Sequence, residues 1–365
     1  MKLFEPFSLA GIDLKNRIVR SATYEKRADP DGFVTDSLIG LYNDLARGGA
    51  GLIITGNALV HISGRSVPQM LCVHNDHYIE PLKKLTGSVH DLGGNIVMQL
   101  SHGGRQCFPS LLGGAQPMGP SAVYDPSTKI TPREMDDSEI WEIIDAFADA
   151  AWRAFTAGFD GIQIHAAHGY LVNQFLSPHT NRRLDYWGGD EEMRFHFLSE
   201  IIEAIKKEVG GSFPVMVKLN SDDFVGGGLR PEEGLRIAKR LQGLGVCAIE
   251  VSGGMMEAGA MTIRSNIDSI EKEAYFRTSA AYFAKELDIP VMIVGGIRSR
   301  AVAEDVLHTG DADLISLSRP LLREPDLPNK FLAGKERADC TSCNNCMRFL
   351  KLDCIRCTQI KQATS

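Results

Sequence analysis

The stretch GIQIHAAHGYLVNQF, Gly161 to Phe175, places His165, His168 and Tyr170 within six residues where an apolar run ends. Two imidazoles can donate N–H groups to one oxygen, and a phenol with an unperturbed pKa near ~10 keeps its proton until a strong base appears. Such a set polarises a carbonyl and protonates a carbanion. A single histidine here would more often be a buried, satisfied side chain; three such groups together favour chemistry. Polar residues also break other apolar runs, Gln99 in NIVMQL and Lys218 in VMVKLN. VMIVGG closes on Gly295 and Gly296, and LISLSR closes on Ser318 and Arg319. Exposed amides and a guanidinium receive a phosphate dianion. A planar, phosphorylated cofactor with polar edges would use all of them.

The elements that must position these groups are short Val/Ile-rich runs alternating with helical patterns, the signature of βα units. The eight runs are Ile18–Ala22, Gly51–Gly56, Asn95–Leu100, Gly161–Ala166, Val215–Asn220, Ala248–Gly253, Val291–Gly296 and Leu314–Arg319. Between them lie amphipathic stretches such as Ser138–Ala157, where Ser138 can cap and Ile140, Ile143, Ile144, Phe147 and Ala151 recur at helical spacing. Eight units in series predict a closed α/β (β/α)8 barrel. A doubly wound open sheet would need a glycine-rich turn after its first strand, and IVRSATYEK contains no glycine. In the barrel, reactive residues gather at the C-terminal strand ends. His165, His168 and Tyr170 therefore face the mouth.

The chain has 365 residues, a net charge of −7 and no basic block, which argues against nucleic-acid binding. MKLFEPFSLAG has no continuous apolar core, Pro6 breaks it, and no segment approaches the ~20 apolar residues that span a bilayer. A cytoplasmic protein with no membrane association is expected, its domains being a barrel over 1–335 and a cysteine-rich segment over 336–365. Five of the eight cysteines fall in CTSCNNCMRFLKLDCIRC. Cys72, Cys107 and Cys247 are scattered and read as small buried hydrophobic residues. In a cytosolic chain a dense cluster argues for metal rather than disulfides. Cys340, Cys343, Cys346 and Cys357 suit an iron–sulfur cluster, a compact turn giving three thiolates and a distant residue the fourth. Cys343, Cys346, Cys354 and Cys357 suit tetrahedral zinc, although the interval between those pairs is short for a zinc ribbon. The iron–sulfur set is favoured.

At this point the chain resembles the Old Yellow Enzyme family of flavin-dependent reductases, through LFEPFSLAGIDLKNRIV, NDLARGGAGLIITG, MQLSHGGR, HAAHGYLVNQFLSPHTNRR, VGGI and SRPLLREPDLPNK. The resemblance implies a barrel holding FMN at its C-terminal face and reduced by NAD(P)H. It implies Gln99 at the flavin pyrimidine edge, Lys218 near N1 and O2, and Ser21, Ala22, Thr23 and Gly56 close to the ring. Gly295, Gly296, Ser318 and Arg319 would hold the phosphate. His165 and His168 would bind the electron-withdrawing group of an activated alkene, and Tyr170 would be the proton donor. The cysteine spacing C-x2-C-x2-C-x10-C resembles the [4Fe–4S] site of the dienoyl-CoA reductase and trimethylamine dehydrogenase branch. In that branch further flavin and nucleotide domains follow, so a cluster in a chain closing at Ser365 would exchange electrons with an external donor protein or with NAD(P)H at the barrel.

Three residues depart from the family pattern. Tyr24 stands where many members have Thr or Cys beside flavin O4, and would meet the substrate. Lys218 replaces a common Arg and loses the two-pronged fork. Trp187 replaces a usual Tyr and is given a packing role. A metal-dependent barrel hydrolase would add an H-x-H on strand one, which is missing. A non-catalytic or electron-transfer flavoprotein, working with a partner through the cysteine segment, is the remaining alternative. The oligomeric state is open, and a homo-oligomer is compatible with the sequence.

Overall fold

The computed structural model describes residues 1–348 and 351–360; positions 349–350 and 361–365 of the expected C-terminal segment lie outside the described residues. Eight parallel strands close a barrel: β1 (Ile18–Arg20), β2 (Leu52–Leu59), β3 (Ile96–Ser101), β4 (Gly161–Ala166), β5 (Val215–Asn220), β6 (Ala248–Ser252), β7 (Val291–Val294) and β8 (Leu314–Leu317). Closure is by β8 on β1, with Ile315 opposite Ile18. The (β/α)8 barrel expected from the eight runs is the fold.

Strand ends differ from the sequence reading in ways that matter at the mouth. β1 stops at Arg20, leaving Ser21 and Ala22 in a loop, and β7 and β8 stop before Gly295 and Ser318. β2 runs past Gly56 to Leu59, its register with β3 shifting between Ile54 and Asn57. The helix expected over Ser138–Ala157 spans Asp137–Thr156, and its cap is Asp136, not Ser138. Asp136 accepts from the Glu139 N–H while the Glu139 carboxylate accepts from the Asp136 N–H, so one residue satisfies what Ser138 alone could not. Ser138 instead donates its hydroxyl to Asp136.

Side chains alternate along each strand, so every second residue enters the barrel. One interior layer is apolar: Val19, Leu52, Ile54, Val97, Met216, Ala248, Met292 and Leu314 pack together with Leu9, Ile12 and Leu14. The last three belong to an antiparallel hairpin, Phe7–Leu9 with Ile12–Leu14, which closes that end. Two residues further along the strands the layer turns polar, bringing in Gln99, Gln163, Lys218 and Glu250, all at most 3% exposed. A larger apolar cluster fills the space between strands and helices, including Phe147, Phe175, Phe197 and Phe283. Trp187 belongs to it, with its indole N–H donated to Asp137.

The cysteine segment is hydrogen-bonded to the barrel. Ala338 donates to the Arg298 carbonyl, Asn266 to that of Ser342, and Ile355 to that of Glu25. The Lys26 ammonium donates to the Leu352 carbonyl at 2.7 Å. No helix among the described residues is long and apolar enough to cross a membrane.

Candidate active site at the barrel mouth

A cavity of about 350 Å³ opens at the C-terminal strand ends. Its wall includes Ser21, Ala22, Thr23, Tyr24, Gln99, His165, His168, Tyr170, Lys218, Gly295, Gly296, Ser318 and Arg319. These are the barrel residues singled out in the sequence, except Gly56, which does not line it. The Gly56 N–H is donated to the buried carboxylate of Glu25 at 2.6 Å, and a Cβ there would strike that carboxylate at 2.1 Å. Its neighbour Asn57 reaches the wall instead.

The polar layer forms the floor. Lys218 on β5 and Glu250 on β6 sit side by side in register, with Nζ 3.3 Å from Oε1. Ser21 joins both, donating to Glu250 at 2.6 Å and accepting from Lys218 at 2.9 Å. Burial opposes the Glu250 charge, but the Lys218 ammonium and the donors of Ser21 and Gln163 hold its carboxyl below the usual value.

The three groups at the end of β4 converge. The ring centroids of His165 and His168 are 5.2 Å apart, and those of His165 and Tyr170 are 4.8 Å apart. His168 has φ +62°, a left-handed conformation that turns the chain back over the strand end. Asn220 holds this turn by accepting from the His168 N–H at 3.2 Å, and Nε2 of His168 lies 2.7 Å from the Ser252 hydroxyl. The buried Nδ1 of His165 has no hydrogen-bond partner among the described residues. Burial, reinforced by Lys218, drives His168 down to about 3. Burial followed by the fields of His168 and Lys218 puts His165 well below its usual value. Both imidazoles are neutral at physiological pH. Each can donate one N–H to an incoming oxygen without carrying a permanent charge. Burial raises the Tyr170 phenol, with Ser66 acting against the rise, so Tyr170 holds its proton.

The rest of the wall comes from loops. Gly295 and Gly296 have φ +136° and +74°, and a Cβ on either would meet the Tyr275 ring, at 2.9 and 2.7 Å. Glycine is therefore required at both. Ser318 is 2.8 Å from the Thr23 hydroxyl, tying the β8 loop to the β1 loop. Arg319 donates to the Arg264 carbonyl at 2.8 Å and to the Asn344 side chain. Tyr24 donates its hydroxyl to the Pro68 carbonyl, and burial, then Glu25 and Tyr170, raise its pKa.

Residues 2–338 match the NADH:flavin oxidoreductase / NADH oxidase family. The chain belongs to that family. It is 40% identical to an NADH oxidase of Thermoanaerobacter brockii over 94% of this chain and 52% of the relative. To an NADPH dehydrogenase of Geobacillus thermodenitrificans it is 39% identical, over 92% of this chain and 94% of the relative. It thus spans about half the length of the first and nearly all of the second. Among solved structures, 2-naphthoyl-CoA reductase in complex with 2-naphthoyl-CoA superposes with TM-score 0.88 at 30% identity, over 94% of this chain and 54% of that one. An Old Yellow Enzyme homologue from Zymomonas mobilis superposes with TM-score 0.80 at 28% identity, over 93% of this chain and 95% of that one.

Membership in a flavin family gives the mouth an occupant to be tested against. The cavity offers an unpartnered buried imidazole nitrogen, a charged and amide-bearing floor, and a diglycine turn beside a guanidinium. That donor set suits the polar edge and phosphate of FMN.

The cysteine segment adds a second, smaller pocket of about 20 Å³, lined by Cys340, Cys343, Cys346 and Cys357 and by Arg319. Cys354 is not in that lining. Ser342 and Asn344 have φ +54° and +58° in the CTSCNNC turn, and all three of its cysteines line this pocket. Burial raises Cys340, and raises Cys346 to about 11 against the pull of Arg319, while the Asn345 N–H lowers Cys343. Arg323 donates to the Cys357 sulfur at 3.6 Å. Among the described residues no three His, Cys, Asp or Glu side chains stand close enough to hold a single metal ion. Four thiols line one hollow, with the Arg319 guanidinium in its wall and that of Arg323 on Cys357, and thiolates are the ligands an iron–sulfur cluster takes. Ser342, Cys346, Met347 and Ile355 also line the large cavity.

Sequence reasoning missed Glu250, Gln163, Ser252 and Asn220, and in the C-terminal segment Ser342, Met347 and Ile355. Glu250 and Gln163 carried the same signal that revealed Lys218, a polar residue inside an apolar strand. The packing of the segment against the β1 loop left no local signature.

Proposed function

We propose that this chain is an FMN-dependent NAD(P)H oxidoreductase that reduces the activated C=C bond of α,β-unsaturated carbonyl or related compounds, acyl-CoA thioesters among them. The observation that carries this is the cluster of two neutral histidines and a protonated tyrosine above a floor holding Lys218 and Gln99. FMN held there would supply the redox chemistry, a hydride taken from NAD(P)H and delivered to the alkene β-carbon. His165 and His168 hold the substrate oxygen, where negative charge develops; one such preorganised donor is typically worth ~10²–10³ in rate. Tyr170 gives its proton to the α-carbon, so that one hydride and one proton saturate the bond. Lys218 and Gln99 would hold the pyrimidine edge, Gly295, Gly296, Ser318 and Arg319 the phosphate, and Ser21, Ala22 and Thr23 the ring between them. Tyr24 narrows the substrate side.

We also assign a [4Fe–4S] cluster to Cys340, Cys343, Cys346 and Cys357, supported by their shared pocket. Arg319 lies in the wall of both cavities, which favours one alternative reading: electron transfer through the cluster to a partner protein. A cytoplasmic setting fits the free thiols. The visible spectrum of the purified protein is the test. Acid should release FMN, NADH or NADPH should bleach the flavin anaerobically, and 2-cyclohexenone should restore the yellow. Absence of flavin, or release of FAD, overturns the cofactor; bleaching that no enone reverses points to the electron-transfer reading.

A further inference from the structure

We infer that Glu250, buried on β6 and outside the cavity lining, is a positioning residue that fixes which way the Gln99 amide faces and offsets the charge of Lys218. The inference rests on the flavin reading of the cavity.

The first part follows from a chain of donors and acceptors. An ionised carboxylate only accepts hydrogen bonds. Gln163 must therefore turn its NH₂ towards Glu250, and it does so at 2.9 Å. Its carbonyl oxygen is then committed to the opposite side, where the Gln99 NH₂ donates to it at 2.7 Å. Gln99 is left with its carbonyl oxygen and one N–H for the cavity. A pyrimidine-type edge presents an imide N–H beside a carbonyl, so an acceptor next to a donor is the complement it needs. Gln99, Gln163 and Glu250 are at most 2% exposed, so no solvent competes for these bonds. Reversing one amide would set two like groups against each other in a dry layer.

The second part is electrostatic. Glu250 has no exposure, and its carboxylate and the Lys218 ammonium together carry no net charge. Lys218 alone would draw electrons onto the ring above it; beside Glu250 that pull is reduced.

The experiment measures the FMN midpoint potential in holoenzyme purified as wild type, Glu250→Gln, Lys218→Met and the double variant. Glu250→Gln should raise the potential by at least about tenfold in the preference for reduced over oxidised flavin, or about 30 mV for a two-electron couple. Lys218→Met should lower it, and the double variant should return towards wild type. Raman bands of the bound flavin that respond to its N3–H bond supply a second readout, in Gln163→Leu, which breaks the relay without altering charge. Those bands should move towards free flavin while the potential stays close to wild type. An unchanged potential in Glu250→Gln with flavin bound overturns the electrostatic part. Unmoved bands in Gln163→Leu overturn the relay, and this variant decides the matter if Glu250→Gln does not fold. Wild-type protein without flavin would instead defeat the reading of the site itself.

Discussion

At the scale of single residues, the proposed mechanism divides the work between Tyr170 and the two histidines, and variants should separate them. His165→Ala or His168→Ala removes one donor to the developing oxyanion, and should slow flavin reoxidation by an enone by about 10²-fold while weakening phenolate binding. Tyr170→Phe should leave phenolate binding nearly intact and slow reoxidation only where the α-carbon needs a proton. Stopped-flow reoxidation and ligand titration check both, and equal reoxidation rates for Tyr170→Phe and wild type would take the tyrosine out of the mechanism. The pattern HAAHGY made these groups legible because all three fall within six residues at one strand end. Glu250 was equally visible in AIEVSG, an anion where strand periodicity demands an inward apolar side chain. Its role was not legible, because it depends on Lys218 and Gln163, which arrive from other strands.

At the scale of elements, the strands were readable because each is an apolar run bounded by turn residues. Their ends were not, since Ser21, Gly295 and Ser318 leave the sheet to reach across the mouth. The long helix start shows a related shift: Asp136 rather than Ser138 carries the cap because Glu139 completes the reciprocal pair. Asp136→Ala should lower the urea midpoint of unfolding, whereas Ser138→Ala should change it little. The cysteine segment makes its own prediction. Anaerobic metal analysis should find iron lost in Cys340→Ser and retained in Cys354→Ser, because only the former lines the shared pocket. Zinc retained in Cys340→Ser and lost in Cys354→Ser would assign the other ligand set.

At the scale of the whole molecule, buried neutral histidines couple the fold to acidity. Burial lowers His102 to about 3 in the folded chain, against an unfolded value near 6.5. Below pH 6.5 the unfolded chain therefore binds a proton that the folded chain refuses, and stability is lost as pH falls from about 6.5 towards 3. One such residue is worth about 1.4 kcal/mol per pH unit in that window. Glu25 and Asp223, raised by burial, act with the opposite sign, so the effect of one histidine is best read as a difference. The drop in unfolding free energy between pH 7.5 and 5.5 should be smaller by about 1.4 kcal/mol in His102→Asn than in wild type. An equal drop in both proteins would mean that His102 titrates normally.

The hydrogen bond from the Ile355 N–H to the Glu25 carbonyl joins segments that leave the ribosome far apart in time. The eight strands are all made before that donor exists, yet Ile355 and Met347 form part of the wall that faces the mouth. During synthesis, a barrel already closed by β8 would present a cavity open on one flank, with its floor charges wetted by bulk water. Full enclosure of the cavity thus requires residue 355 to have emerged, and a closed barrel alone does not provide it.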